Sequence, residues 1–181
     1  METTYPMHFR PLSAETELHL LAQTNQHADG INVKSKMLVK EEIEAVKQRL
    51  CILAKKKTGR CIQKHAAPLR EALLVHNGNL KMEHIKILCR RLKGRFGIDM
   101  VQIHLHLHPL GDTQTINKHT HIIFNWMNEN TGKSIKLSKL DMAVLQATVK
   151  DELNKFQRSK EHTTKNKKTL IAGWLRVLPA K

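Results

Sequence analysis

Five of the chain's 12 histidines stand between residues 104 and 121. His104, His106 and His108 alternate with Ile103, Leu105 and Leu107, and His119 and His121 follow with the same spacing of two. A period of two puts side chains on one face of a β-strand. Two antiparallel strands joined by a short connection set same-face residues about 5 Å apart across the pair and about 7 Å apart along one strand. His106 or His108 on the first strand then converges with His119 and His121 on the second. Neutral imidazoles around one divalent cation are sound ligands for Mn²⁺, Zn²⁺, Ni²⁺ or Co²⁺. Alternation alone also produces a wet sheet face lined with polar side chains. A second His-x-His in the very next strand favours the metal site.

Charge narrows the chemistry. Lys and Arg number 31 against 16 Asp and Glu, a net of +15, with a sequence pI near 10.0. A domain this basic usually meets a polyanion, most often nucleic acid, though a basic ribosomal or membrane-surface protein carries the same signature and charge alone does not choose between them. A cation beside a basic face suits phosphodiester chemistry, where it polarises a phosphoryl oxygen and offsets the charge that builds up on it. Aromatic residues make up only 4%, which speaks against a base-stacking platform. The candidate phosphate contacts are Arg90, Arg91, Lys93 and Arg95, which crowd one helix, then Lys133 and Lys136 just past the second histidine strand. Lys165, Lys167 and Lys168, in the basic stretch 158–168, complete them. About six such contacts on a single strand would give log K a slope near −4 against log salt.

The elements that must carry these residues are legible from periodicity. At 181 residues the chain suits one domain. Residues 1–12 read as an edge strand or lead-in arm, and Ser13 as the cap of a short helix. Residues 40–58 form a helix with Ile43, Val46, Leu50 and Leu53 on one side and Gly59 at its end. Residues 69–76 read as a strand, 80–96 as a basic helix stopped by Gly97, then 98–108 and 118–127 as the histidine strands. Ser138 and Asp141 open a last helix. The expected class is α+β, an antiparallel sheet with helices packed on one face and the other face open. Residues 1–156 form the domain, and 157–181 a basic tail with a short apolar element at 169–178. Phe124 and Trp126 fall on the core face. Cys51, Cys61 and Cys89 are scattered and form no C-x-x-C pair, so neither a disulfide framework nor a zinc ribbon is supported; they are expected reduced and mostly buried. No run of about 18 apolar residues exists, so no membrane span is expected. The N-terminus lacks a signal-peptide profile, and the expected location is the cytoplasm.

The stretch 98–145, with IDMVQIHLHLHP and NKHTHIIFNWMNENTGKSIKLSKLDMAVL, resembles the core of Mob/Pre-type mobilisation proteins, relaxases of the HUH endonuclease superfamily. HAAPLREALLVH at 65–76 and MHFRPL at 7–12 are similar to Bacteroides-type members. The resemblance covers most of residues 6–150. It implies a five-stranded antiparallel sheet and a divalent metal held by three histidines, with Mn²⁺ or Mg²⁺ foremost and Zn²⁺, Ni²⁺ or Co²⁺ as alternatives. It implies nicking of one DNA strand at an origin of transfer during mobilisation or conjugation of a plasmid or transposon, alongside other mobile-element proteins. By matched position, His119 and His121 are the metal pair and His106 the third ligand. The nucleophile is a tyrosine or a histidine. Tyr5 is the sole tyrosine, and His19 is the histidine that best matches the family's nucleophile motif.

Two departures stand out. The family's third-histidine strand continues into an acidic pair, whereas His108 and Pro109 occupy those positions here, which makes His108 a substitute ligand. The family's His-Asn-x-Arg motif reads His19-Leu20-Leu21-Ala22. These departures support an alternative, a catalytically weakened, relaxase-derived DNA-binding accessory protein that recognises single-stranded or hairpin DNA. A basic structural RNA-binding protein without metal is the third reading, and the histidine pattern speaks against it.

Overall fold

The computed structural model describes residues 7–26, 36–63, 66–76, 80–109 and 116–156, with only the backbone described at 21–26, 107–109 and 116–118. In chain order the elements are β1 (Met7–Pro11), α1 (Ala14–Gln26), β2 (Lys36–Val39), α2 (Ile43–Thr58), β3 (Leu69–Val75) and α3 (Met82–Phe96). They continue with β4 (Asp99–Pro109), β5 (Ile116–Asn125), β6 (Met127–Asn128) and β7 (Lys133–Ser134). A fourth helix, α4, spans 139–156. Five strands form one antiparallel sheet in the order β1-β3-β5-β4-β2, so β5 is central and β1 and β2 are edges. The molecule is thus α+β. The four-residue β2 lies in a stretch whose sequence pattern points to no element.

Local chemistry sets the helix ends. Ser13 Oγ accepts the Thr16 amide at 3.2 Å, which caps α1. Ser138 Oγ accepts the Asp141 amide at 3.1 Å while Asp141 Oδ2 accepts the Ser138 amide at 2.9 Å, a reciprocal capping box at the start of α4. The helices α2 and α3 close on Gly59 and Gly97, whose amides reach back to Lys55 and Lys93 carbonyls.

Packing corrects one expectation. Helices cover both faces of the sheet. On one face Ala72, Leu74, Ile103, Leu105, Ile122 and Phe124 meet Ile85, Leu88 and Leu92 of α3 and Leu145, Val149 and Leu153 of α4. On the other, Leu69, Val101 and Ile123 meet Leu20 of α1 and Val46, Leu50 and Ala54 of α2. The reason lies in the strands. The histidine face of β5 also carries Ile123, and a bulge between Met100 and Gln102 turns Val101 toward the same side. Those apolar groups need a cover, and α1 and α2 supply it. Phe124 and Trp126 are core residues, as their parity demands. Of the cysteines only Cys89 is buried; Cys51 and Cys61 are exposed. Cys51 follows Leu50, one step off the buried stripe of α2, and so points outward. Among the described residues no helix is long and apolar enough to cross a membrane.

Candidate metal centre

The register of β4 and β5 brings the two histidine runs together. His104 lies opposite His121, His106 opposite His119, and His108 opposite Asn117. The rings of His106, His119 and His121 stand with centroids 5.0–5.1 Å apart. The helix α1 crosses this face and adds His19, 6.0 Å from His106 and 5.6 Å from His121 by ring centroid. His19, His106 and His121 each offer one ligating nitrogen, and the three nitrogens lie within 4.8 Å of one another. His106 and His121 are buried and His19 is exposed. The group therefore has two fixed walls and one accessible side.

A carboxylate backs the group. His121 Nδ1 donates to Glu71 Oε1. Arg10 Nε donates to Glu71 Oε2 at 2.5 Å, and Thr16 Oγ1 donates to the same oxygen at 3.3 Å. The Glu71 side chain is 0% exposed. Burial alone would push its pKa up, but the hydrogen bonds from His121 and Arg10 outweigh burial and hold it at about 2. An ionised carboxylate only accepts, so the proton of His121 sits on Nδ1. Its Nε2 is buried and has no hydrogen-bond partner among the described residues. A ring tethered at Nδ1 by a carboxylate, with Nε2 left over, is the usual second support of a metal-binding histidine. The donor set therefore fits a divalent cation.

His104 is held differently. The amide nitrogen of Gln102 donates to the Glu41 carbonyl at 3.1 Å, so its oxygen faces His104 Nε2, which donates to it at 2.9 Å. Burial, helped by His121 and His19, lowers the His104 pKa to about 4 and keeps the ring neutral. Beside the triad opens a cleft of about 380 Å³, bordered by Arg10, Ser13, Thr16, His19, His119 and His121.

The other sequence candidates fall in several places. His106 and His121 are in the triad, and His119 is their neighbour. His19, the nucleophile candidate by motif, stands in the triad with His106 and His121. The His108 side chain, Tyr5, Lys165, Lys167 and Lys168 lie outside the described residues. Arg90, Arg91, Lys93 and Arg95 are on α3, across the sheet from the histidines. Two of these have acidic partners that a linear reading does not show: Arg91 with Glu152 at 3.0 Å and Lys93 with Asp99 at 2.7 Å. Arg95 donates to Thr148 Oγ1 at 3.3 Å. Lys133 and Lys136 are exposed but lie beyond the Asn125 end of β5, whereas His119 is near its start. Glu71 and Arg10 are additions. One signal for Glu71 stands in the sequence: it shares parity with Leu69 and Leu73 in the apolar strand LREALLV, an inward place for a lone acid.

No protein-family model matches the chain, and no curated protein matches it.

Proposed function

We propose that this chain is a metal-dependent, relaxase-like protein that nicks a single DNA strand by transesterification in the mobilisation of a plasmid or transposon. The observation that carries the reading is the convergence of His19, His106 and His121, backed by buried Glu71, at the edge of an open cleft in a chain of net charge +15. When bound, a divalent cation supplies polarisation of a phosphoryl oxygen and relief of its developing charge. The three histidines hold it, and His119 borders the same cleft as a further candidate ligand. Glu71 fixes the proton and the orientation of His121. The buried floor of β4 and β5 excludes water from behind the triad.

With His19 read as a ligand, Tyr5 is the remaining nucleophile candidate. Its phenol oxygen forms a bond to phosphorus, and the bond from phosphorus to the 3′ oxygen breaks. The phenol proton ends on that departing oxygen. The products are a free 3′ hydroxyl and a tyrosine joined to the 5′ phosphate. The second reading, a DNA-binding accessory protein, draws on His108 and Pro109 standing where the relaxase pattern has an acidic pair.

The test is a nicking assay on single-stranded DNA from the chain's own genomic neighbourhood with Mn²⁺, run on denaturing gels with and without proteinase. The expected result is a cleaved strand that carries protein, abolished in His121→Ala and in Tyr5→Phe. Cleavage that survives His121→Ala overturns the metal reading. Salt-sensitive binding with no cleavage by the native chain leaves the accessory reading.

A further inference from the structure

Arg10 sits directly opposite Glu71 in the pairing of β1 with β3. A guanidinium carries five N–H donors in a rigid fork. The Nε donor is used on Glu71, and Nη2 reaches Thr16 Oγ1 at 3.4 Å. Those contacts engage two of its five donors, and Glu15 also acts on the guanidinium electrostatically. The Arg10 side chain is 58% exposed, while Glu71 beneath it is 0% exposed. The same side chain borders the cleft shared with His19, His119 and His121. Neutralising Glu71 needs only the inner edge. A planar fork left open beside a candidate metal centre matches the two oxygens of a phosphate group, which a point charge cannot do equally well. Glu15 also borders the cleft, so directional donors matter there more than net charge.

We infer that Arg10 has two edges with two tasks: the outer edge grips a backbone phosphate of the DNA strand beside the histidine triad, and the inner edge holds Glu71 against His121. This inference rests on the proposed action on a DNA strand. Arg10 is then a binding residue toward the phosphate and a positioning residue toward the metal. The two tasks separate experimentally, because only the first contributes a counterion-releasing contact.

The experiment uses the full chain and its Arg10→Met, Arg10→Lys and Glu71→Gln variants, with thermal denaturation to confirm folding. Binding of a labelled single-stranded oligonucleotide is measured in EDTA across a salt series. Binding of Mn²⁺ alone is measured by the electron paramagnetic resonance of the free ion. Arg10→Met is expected to weaken oligonucleotide binding and make the log–log salt slope shallower by about 0.7, the share of one phosphate on a single strand. Arg10→Lys restores that slope and only part of the affinity. Glu71→Gln leaves the slope unchanged and weakens Mn²⁺ binding by about 10- to 100-fold. Arg10→Met weakens Mn²⁺ binding in the same direction. A slope unchanged in Arg10→Met overturns the grip, and unchanged Mn²⁺ affinity overturns the positioning task. Should Arg10→Met not fold, a slope in Arg10→Lys that differs from the native one overturns the grip instead. A native chain whose salt slope depends on Arg10 but which never nicks sinks the nicking reading alone. A native chain that binds no strand sinks both.

Discussion

The two faces of β5 are made by alternate residues of one strand, yet they do different things. Ile122 and Phe124 point into a cluster closed by α3 and α4, and both are 0% exposed. Their neighbours His119, His121 and Asn125 point the other way, toward a face that also buries Glu71, Gln102, His104 and His106. Buried polar groups cost stability unless they are bonded. On the histidine face neighbours supply the bonds: Glu71 to His121 and Gln102 to His104 at the site, and Asn125 Oδ1 to the Met127 amide at 2.9 Å at the far end of β5. One face is thus continuous apolar packing, and the other is a polar network at one end and apolar packing under α2 at the other. The lesson is a division of labour. The apolar face can hold the strands in register whether or not the polar face is optimal for stability, which leaves the polar face free to keep an unsatisfied nitrogen for a ligand.

That division can be broken deliberately. Phe124→Ala removes a fully buried ring from the apolar face and is expected to cost about 3–5 kcal/mol in chemical denaturation. Whatever fraction remains folded should bind Mn²⁺ as the native chain does. A selective fall of Mn²⁺ affinity in the folded fraction would mean that the faces are coupled. The reciprocal change is His121→Ala. It should weaken Mn²⁺ binding by more than the roughly 100-fold upper range seen when only an outer partner is removed. Its denaturation midpoint without metal should fall less than that of Phe124→Ala, because Glu71 loses one buried partner but keeps Arg10 and Thr16. An equal fall would make His121 a core residue first and a ligand second.

A smaller effect is expected at the far end of the sheet. The β6–β7 hairpin packs on the last turn of α2, and a Cβ at Gly132 would stand 2.8 Å from the Lys57 Cβ, so glycine is needed for the close approach. Next to it Lys133 is exposed, as are Lys55, Lys56 and Lys57. Asn125, where β5 ends, is six residues from His119, about 20 Å along the strand. Lys133→Glu with Lys136→Glu should therefore reduce the salt slope of oligonucleotide binding by about 0.7 for each phosphate that is no longer held. Mn²⁺ affinity should not move, since sites this far apart act independently. A changed Mn²⁺ affinity would refute the separation of the two ends.

Much of this geometry is written in the sequence, and the rest has a physical reason for being hidden. That His104, His106, His119 and His121 share one face follows from a period of two, but the pairing of His104 with His121 and of His106 with His119 does not, because a slip of two residues keeps the same face. The helices α2, α3 and α4 follow from their apolar spacing. His19 cannot be read in the same way. Its place depends on where α1 crosses the sheet, which spacing within Ala14–Gln26 does not fix. Periodicity assigns a residue to a face but says nothing of what covers the face. By that pattern alone the histidine side is open, whereas α1 and α2 lie over it. The acid partners of Arg91 and Lys93 are hidden for a similar reason: Glu152 comes from another helix and Asp99 from the start of β4.

Asp99 offers the finest test of the two ends. Its Oδ2 lies 2.7 Å from Lys93 Nζ and 2.9 Å from Lys40 Nζ, which ties the end of α3 to the edge of the sheet. Burial pushes its pKa up, but the hydrogen bonds from Lys93 and Lys40 outweigh burial and set it below the ordinary value of 3.8. A carboxyl with a folded pKa below its unfolded one takes up protons first in the unfolded chain. Its stabilising effect is therefore present above about pH 4 and is lost as pH falls through the folded value. Partly exposed ion pairs are worth about 1 kcal/mol or less. Asp99→Asn should accordingly be slightly less stable than the native chain at pH 7, and the two stability curves should converge below pH 4. Because Asp99 lies away from the triad, the same substitution should leave Mn²⁺ affinity unchanged at pH 7. Curves that stay parallel down to pH 3 would show that the Asp99 pair does not stabilise this end, and that apolar packing under α2 and α3 holds it unaided.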